Sequence, residues 1–592
     1  MNVLGISCYF HDSAAALLSH GALAAAAQEE RFSRRKHDHD FHELAIDFCL
    51  ETAGIHSADL DAVVFFEKPL IKFERLLMTS MQMFPRSHTV FREAMITWMG
   101  DKLWVKSLIQ KKMKVPAGRI LFSGHHMSHA ASAFLCSPFE ESAILTIDGV
   151  GEWTTASIGM GKGNAITLLK EIRFPHSLGL LYSAFTAFLG FEVNEGEYKV
   201  MGMAPFGSPR HVDKVMKLLD LDDRGGFHLN MEYFTFPYST RKMYSRKFLD
   251  LFGPSRDPKT NFFTPSTGFP AYFGSKPENY EQQGELNQYY ADVAASIQAV
   301  TETVMVKMAI EAHRATGLKN LCMAGGVALN SVGNGKILKE APFDRIYIQP
   351  AAGDDGAALG AALYGCHTVL GQSRSFVMEH AYWGEQHSSQ DAETFFLQSR
   401  IPYERIDDEV ELIGRVVSAL KEGKVVGWSQ GRFEWGPRAL GNRSILADPR
   451  RADMKDIVNT KIKFREPYRP FAPSVLAERA SEFFEIDEPE QRFPARFMLY
   501  VVKVRPGKEH LLPATTHVDG TARLQTVHRD VSPRYYRLIE RFGEETGVPV
   551  LLNTSFNLRG EPIVNTPREA YQTFSKSDMD LLVVENCLVY KS

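Results

Sequence analysis

Apolar and polar positions along this 592-residue chain change period several times. Val3 to Glu30 runs as a short apolar segment (VLGIS), a polar turn (YFHDS), a second apolar segment (AAALL), a glycine turn and a third apolar segment. Short apolar runs bounded by turn residues predict strands joined as a meander. Ala143 to Ile172 repeats the order with AILTI, the turn DGVGE, TTASIG, a Gly-rich turn and AITLLKEI. Helix-like sequence follows each meander, so the pattern predicts a duplicated α/β domain with a cleft between its halves. Asp38 to Gly54 and Gln288 to Thr316 have helical spacing, and LKNLCMAGGVALN reads as a buried strand, a glycine turn and a helix. IYIQPAAGDDGAALGAALYG reads as a strand, an acidic turn and a small-residue helix. Periodicity lapses around Gln372 to Gln390, which predicts two domains, residues 1–375 and 385–592. The second begins with a helix and the strand VVGWS, and VPVLLNTSFNL and LLVVENCLVY supply its late strands. Arg241 to Gln283, rich in Pro, Gly and Phe, predicts no element.

Composition narrows the class. Forty-four per cent hydrophobic and 23% charged residues describe a soluble globular protein, and a net charge of −4 is not that of a molecule built to seek a polyanion. No Lys or Arg precedes Arg31, and His11, Asp12, Ser19 and His20 interrupt the apolar start, so neither a signal peptide nor a membrane-spanning helix is expected there. Six widely spaced cysteines with no C-x-x-C pair predict reduced thiols and a cytoplasmic location.

Four constellations carry chemistry. In His125-His126-Met127-Ser128-His129, helical spacing places His125 and His129 on one face, able to clamp a metal. The alternative is a pair of packing histidines, and the missing Glu of H-E-x-x-H excludes that peptidase class. Asp148 in TIDGVGE and Asp354 in AAGDDGAALG follow predicted strands and would complete a nitrogen and oxygen set suited to a divalent transition metal. Asp355 is the alternative to Asp354. Second, Gly325, Gly326 and Asn330 in GGVALN form a strand-to-helix turn where backbone can approach a phosphate, although glycine pairs also serve tight packing. No P-loop motif occurs. Third, His11 and Asp12 occupy the first turn, where a histidine can transfer a proton or serve structure. Lys36, in ERFSRRKHD, either reaches a phosphate or belongs to a solvated charge cluster. Fourth, residues 431–470 hold ten Lys and Arg against five Asp and Glu. These cations, Arg438, Arg443, Lys463, Arg465 and Arg469 among them, are interleaved with Gly, Pro and Asn, as in a pocket for a small multiply charged anion. His517, Arg523, Asn553, Ser555 and Asn557 could complete it, and structural ion pairs would account for some of the positives.

With these residues in view, the chain resembles the bacterial O-carbamoyltransferases of the NodU/CmcH type over nearly its full length. The blocks that carry the resemblance are GISCYFHDSAAAL, QEERFSRRKHD, HHMSHAASAF, DGVGEW, FPHSLGLLYSAFT, GEYKVMGMAPFG, GGVALN, GDDGAALG, GPRALGNRSI, REPYRPFAPSVL and NTSFNLRGEPIV, in that order. The resemblance implies an α/β protein. Its N-terminal domain would have the duplicated actin-like (ASKHA, ribonuclease H-like) fold of the transferase that builds threonylcarbamoyl-adenosine on tRNA. The C-terminal domain would be YrdC-like. It further implies that the C-terminal domain makes carbamoyl adenylate from ATP, with Mg2+, and carbamoyl phosphate. The N-terminal domain would then pass the carbamoyl group to a hydroxyl of a small molecule such as a sugar, antibiotic or toxin. By motif match, His125, His129, Asp148 and Asp354 are metal positions, with Fe(II) the family's metal and another divalent transition metal the alternative. His11 is the catalytic histidine. Asp12, Lys36, Gly325, Gly326 and Asn330 fall in blocks that hold the nucleotide or carbamoyl adenylate, while Arg438, Arg443, Lys463, Arg469, Arg523, Asn553 and Ser555 fall in blocks that hold ATP and carbamoyl phosphate.

Two rival activities share parts of this pattern. An actin-fold small-molecule kinase would use the duplicated half but not the two-histidine motif. A tRNA-modifying enzyme of the threonylcarbamoyl type should carry a basic stripe, which the near-neutral charge does not suggest. Neither a nucleic-acid nor a membrane partner is therefore expected, and a homodimer is the default assembly. Acceptor contacts are expected in loops around Phe73 to Met99 and Phe227 to Phe273.

Overall fold

The computed structural model describes every residue except His11, His42, Asp101, Pro467 and Ser592, together with the side chain of Ala271. The chain divides into two compact units. One comprises Met1–Ala24 with Cys49–Val377, the other Ala25–Phe48 with Met378–Ser592. The sequence division at residues 375–385 thus misses the Ala25–Phe48 segment, which crosses to the second unit. Its attachment there is visible at Arg34, whose guanidinium donates to the carbonyls of Ile563 (2.7 Å) and Pro562 (3.0 Å).

The first unit contains two five-stranded sheets of the same topology. In one, β1 (Asn2–Ser7), β2 (Ala14–Ser19), β3 (Ala22–Gln28), β4 (Ala62–Phe65) and β5 (Ile120–Phe122) lie in the order β3-β2-β1-β4-β5. In the other, β6 (Glu141–Ile147), β7 (Thr154–Lys162), β8 (Ala165–Arg173), β9 (Asn320–Ala324) and β10 (Arg345–Ile348) lie in the order β8-β7-β6-β9-β10. In each, the first strand pairs antiparallel with the second and parallel with the fourth. The duplication read from the two meanders is therefore present, and it extends to the two crossover strands. Central strands such as β1 and β4 are buried almost throughout, as parallel strands covered on both faces should be.

A helix follows the fifth strand of each sheet: α1 (His125–Phe134) after β5 and α3 (Asp354–Leu363) after β10. A longer helix, α2 (Tyr280–Thr316), precedes β9, and its central turns are buried. Helices α1 and α3 pack on each other at backbone distance, because a Cβ on Gly360 would stand 1.8 Å from the Ser128 carbonyl oxygen. On the other side of α3, a Cβ on Gly5 would stand 1.9 Å from the Ala358 oxygen. The small-residue sequence DDGAALGAAL is thus a packing requirement.

The second unit is built on a mixed eight-stranded sheet. Its strands are β11 (Glu404–Arg405), β12 (Val426–Ser429), β13 (Arg443–Ala447), β14 (Ala472–Leu476), β15 (Gln525–Val527), β16 (Val550–Ser555), β17 (Leu581–Val584) and β18 (Cys587–Tyr590), in the order β11-β18-β17-β12-β13-β16-β14-β15. Alternate residues point to opposite cores. Ile445, Leu552 and Leu582 meet α4 (Ser389–Gln398) and α7 (Pro567–Ser575) through Phe396 and Phe574. Leu446, Leu551 and Leu581 meet α5 (Glu409–Lys421) and α6 (Pro533–Thr546) through Val416 and Phe542. All six cysteines are buried and form no disulfide.

One expectation fails in an instructive way. Phe73 to Met99, read as loop, is mostly two helices, Pro69–Gln82 and His88–Gly100. The buried positions of the first are Pro69, Lys72, Arg75, Thr79 and Ser80, so it turns a polar face inward. That inverts the pattern by which amphipathic helices are recognised.

Replacing Gly360 by Val should drive a branched side chain into the Ser128 carbonyl and destabilise the first unit by about 3 kcal/mol. Denaturant unfolding followed by circular dichroism should show the loss.

Candidate active site

The start of α1 and the start of α3 converge on the turn after β6. Backbone amides at a helix start lack intrahelical partners, and Glu152 satisfies that of His125 with both carboxylate oxygens, at 3.0 and 3.1 Å. One helical turn separates His125 from His129, and their Nε2 atoms lie 3.2 Å apart. Asp148, directly after β6, places Oδ2 at 3.1 Å from His125 Nε2 and 3.9 Å from His129 Nε2. Asp354 Oδ1 stands 3.5 and 3.4 Å from the same two nitrogens. The four donor atoms all lie within 4.8 Å of one another, and all four residues are buried.

Four ligands held about 2.1 Å from one centre in a tetrahedron lie about 3.4 Å apart, which matches these separations. His129 Nδ1 and Asp354 Oδ2 are buried with no hydrogen-bond partner among the described residues. Two imidazoles and two carboxylates, with no thiolate, suit a divalent transition metal. The cluster therefore fits a metal ion. Burial would lower the His125 pKa, but Asp354, Asp148 and Glu67 raise it well above the ordinary value. Burial would likewise raise Asp148, yet His125 and His129 hold it well below the carboxylate range. His126 points elsewhere, with Nδ1 2.7 Å from Thr146 Oγ1.

The glycine turn meets this cluster directly. Gly326 N donates to Asp148 Oδ1 at 2.8 Å. Gly325 has φ +93°, and a Cβ there would lie 2.3 Å from the Ile147 oxygen, so only glycine fits. The Asn330 side chain caps the next helix at Gly333 N (3.0 Å) and exchanges hydrogen bonds with Gln298. Asp355 accepts from Gly356 N, so Asp354 is the residue in the cluster. Asp12 follows β1 in the left-handed region, at φ +58°. His11 lies outside the described residues.

Sequence reasoning missed the groups behind the cluster. Glu67 Oε2 is 3.7 Å from His125 Nδ1 and 2.6 Å from Lys72 Nζ, and Glu67 and Lys72 are both buried. Burial would raise Glu67, but Lys72 and His125 bring it from 4.5 down to about 2. Lys72 Nζ also lies over the Phe10 ring at 4.6 Å. Arg75 donates to the Gly151 oxygen at 2.8 Å and covers the Phe174 ring at 5.2 Å. The signal for both cations was a helix whose polar residues recur every third or fourth position.

In the second unit several of the expected cations act on one another, and Arg469 also pairs with Glu466 at 3.6 Å. Arg523 is pushed well below the ordinary guanidinium value by burial and then by Arg438 and Arg469. Lys463 is pushed down by burial, then by Arg465 and Arg469, with Lys36 also contributing and Glu561 opposing. Lys36 lies in the second unit and is one of the cations that lower Lys463. Lys463 Nζ donates to the Ser555 oxygen (2.7 Å), the Asn557 oxygen (2.8 Å) and Asn557 Oδ1 (2.6 Å). Asn553 Nδ2 donates to Gln525 Oε1 and Ser474 Oγ. His517 is lowered to about 4, mainly by burial. Arg443 is a different case. Its guanidinium donates to the carbonyls of Gln430, Gly431, Asn442 and Asn565, a structural role. Glu434, unremarked in the sequence, accepts from the amides of Leu440, Asn442 and Arg443 and so shapes the GPRALGNR loop.

Residues 2–363 match the model for the carbamoyltransferase N-terminus, and residues 417–591 match that for the carbamoyltransferase C-terminus. The chain belongs to the carbamoyltransferase family. Among its relatives, nodulation protein NolNO of Sinorhizobium fredii is 40% identical over 98% of this chain and 79% of its own length. An uncharacterized protein of Synechocystis sp. is 46% identical over 100% of this chain and 97% of its own. Among solved structures, HypF of T. kodakarensis aligns at 14% identity and a TM-score of 0.31, over 63% of this carbamoyltransferase and 48% of that chain. The ROK hexokinase of Thermus thermophilus aligns at 15% identity and a TM-score of 0.27, over 62% of this chain and 98% of that chain.

Two outcomes follow. His129→Ala should reduce bound transition metal from about one ion per chain to a small fraction, measured by elemental mass spectrometry, with the circular dichroism spectrum retained. Lys72→Met should cost about 3–5 kcal/mol at neutral pH by leaving Glu67 charged and buried. Because folding lowers the Glu67 pKa from 4.5 to about 2, its stabilisation is complete above pH 4.5 and is lost as pH falls towards 2. The wild-type minus Lys72→Met stability difference, measured by denaturant titration, should shrink across that window.

Proposed function

We propose that this carbamoyltransferase is ATP-dependent and transfers the carbamoyl group to a hydroxyl of a small molecule through carbamoyl adenylate. The observation that carries this reading is the buried two-histidine, two-carboxylate cluster, joined by Gly326, in a chain that also gathers Arg438, Lys463, Arg469, Arg523 and Lys36 in its other unit. A kinase or simple ATPase has no use for both.

In the second unit the cations hold the phosphates of Mg-ATP and carbamoyl phosphate, since convergent guanidinium and ammonium groups match phosphate oxygens and are themselves relieved by a bound polyanion. Water releases phosphate from carbamoyl phosphate. The resulting carbamate oxygen attacks the α-phosphorus of ATP, pyrophosphate leaves, and carbamoyl adenylate forms. Lys463 Nζ is held in place by four oxygens of Ser555 and Asn557, and buried Arg523 has Nε lacking a partner among the described residues.

In the first unit the glycine turn Gly325-Gly326 offers backbone to the AMP portion. The acceptor oxygen attacks the carbamoyl carbon, the bond from that carbon to the adenylate oxygen breaks, and AMP departs. His11, assigned from its motif, takes the hydroxyl proton. A divalent transition metal, Fe(II) in the family, held by His125, His129, Asp148 and Asp354 would supply Lewis-acid polarisation at this centre. Glu67, with Oε2 3.7 Å from Nδ1, supplies negative charge behind the His125 ring, and Glu152 anchors the His125 backbone. Adenylation supplies a large handle, and binding it orients an otherwise small electrophile.

The test is to incubate the protein with Mg-ATP and carbon-13-labelled carbamoyl phosphate in the absence of acceptor. Mass spectrometry should find labelled carbamoyl adenylate, with Arg523→Ala lowering its formation about a hundredfold or more. Formation of ADP and a phosphorylated alcohol, without adenylate, would replace this reading with a kinase.

A further inference from the structure

Helix Pro69–Gln82 presents Leu70, Met78 and Met81 outward, spaced to share one face with Glu74, while Lys72, Arg75 and Thr79 point inward. Its neighbour His88–Gly100 packs against it through Phe73 and Trp98, with ring centroids 6.0 Å apart. That helix presents Ile96 and Met99 outward, and Phe84 lies in the connection between the two. Leu70, Met81, Phe84, Ile96 and Met99 are each between 63% and 73% exposed. Scattered exposed hydrophobic residues are ordinary, but a concentration of large ones on one helical pair marks an interaction surface.

Its charge identifies the partner. Residues 68–114 contain ten Lys and Arg against three Asp and Glu, and with the inward Lys72 and Arg75 set aside eight cations remain, in a chain of net charge −4. Arg86 and Arg92 are exposed in the connection and on the second helix, and Lys106, Lys111 and Lys114 are exposed on and at the end of the helix that follows in the chain, Val105–Met113. A second copy of the chain would bring the same positive excess against itself in a two-fold contact, which like charges oppose. An anionic lipid surface satisfies both features at once, because apolar side chains enter the acyl boundary while Lys and Arg meet the headgroups.

We propose that the helical pair Pro69–Gln82 and His88–Gly100 docks the protein on anionic membrane surfaces. The inward face of the same helix carries Lys72 and Arg75, which contact Glu67 and Gly151 beside the His125 cluster. Docking would therefore hold the metal-binding cluster close under the lipid interface. This inference does not depend on the carbamoyl-transfer chemistry, and it revises the expectation of no membrane partner.

The experiment is flotation of the full-length protein with phosphatidylcholine vesicles, either pure or containing about one-third phosphatidylglycerol. The bound fraction should be about tenfold higher on the anionic vesicles and should fall at high salt. The variant Met78→Ser/Met81→Ser/Phe84→Ser changes only outward residues, so its circular dichroism should match wild type while its binding falls about tenfold. Independently, Arg86→Gln/Arg92→Gln should weaken binding to anionic vesicles. Absence of vesicle binding, or binding that the apolar variant leaves unchanged, overturns the proposal. So does sedimentation showing a dimer that the apolar variant dissociates, which would assign the surface to a second copy.

Discussion

The backbone-to-backbone contact of α1 with α3 is the constraint from which the first unit's chemistry follows. Gly360 against the Ser128 carbonyl brings together the two helices that close the duplicated halves, and Gly5 does the same for α3 against β1. Each helix starts with a residue of the cluster that could hold a metal, His125 in one half and Asp354 in the other. The turn after β6 adds Asp148, and its pseudo-equivalent after β1 carries Asp12. Duplication thus places ligands at corresponding points of two related halves, and small residues allow the halves to close on them.

Electrostatics divides the molecule's chemistry. In the first unit, the donor set pairs two carboxylates with two imidazoles and is backed by the Glu67–Lys72 pair. In the second, Arg438 and Arg469 act on Arg523, and Arg465, Arg469 and Lys36 act on Lys463, with Glu561 opposing at Lys463 and Glu466 pairing Arg469. Such a concentration of positive charge is costly in the absence of an anion, whereas the donor set is suited to a cation. Each unit is therefore organised around a partner of opposite sign, which is what a two-stage reaction using phosphate compounds and a metal centre requires.

Much of this was legible in the sequence, and the exceptions have physical reasons. The meanders showed because their strands are short, apolar and bounded by glycine turns. The clustering of His125, His129, Asp148 and Asp354 was legible because helical spacing and strand-end aspartates are local signals. Arg443 misled because local charge does not reveal whether a guanidinium faces a ligand or, as here, four backbone carbonyls. That Ala25–Phe48, with Lys36, clusters with the second unit was not visible, because a segment that leaves one sheet and packs elsewhere carries no compositional mark. Helix Pro69–Gln82 was read as loop because its apolar residues point outward, and the same inversion hid Lys72 and Arg75. Glu67 and Glu434 are single carboxylates whose importance lies in partners distant in sequence or held in a loop's backbone.

The central claim is that the two units perform separate half-reactions, one dependent on the metal-binding cluster and one on the cation cluster. Pyrophosphate release and carbamoyl transfer to an accepted alcohol should be measured on the same preparation of Asp354→Asn. The account predicts pyrophosphate release close to wild type, dependent on both ATP and carbamoyl phosphate, with carbamoyl transfer lost by about a hundredfold or more. Equal loss of both activities, or transfer that survives the substitution, would contradict it.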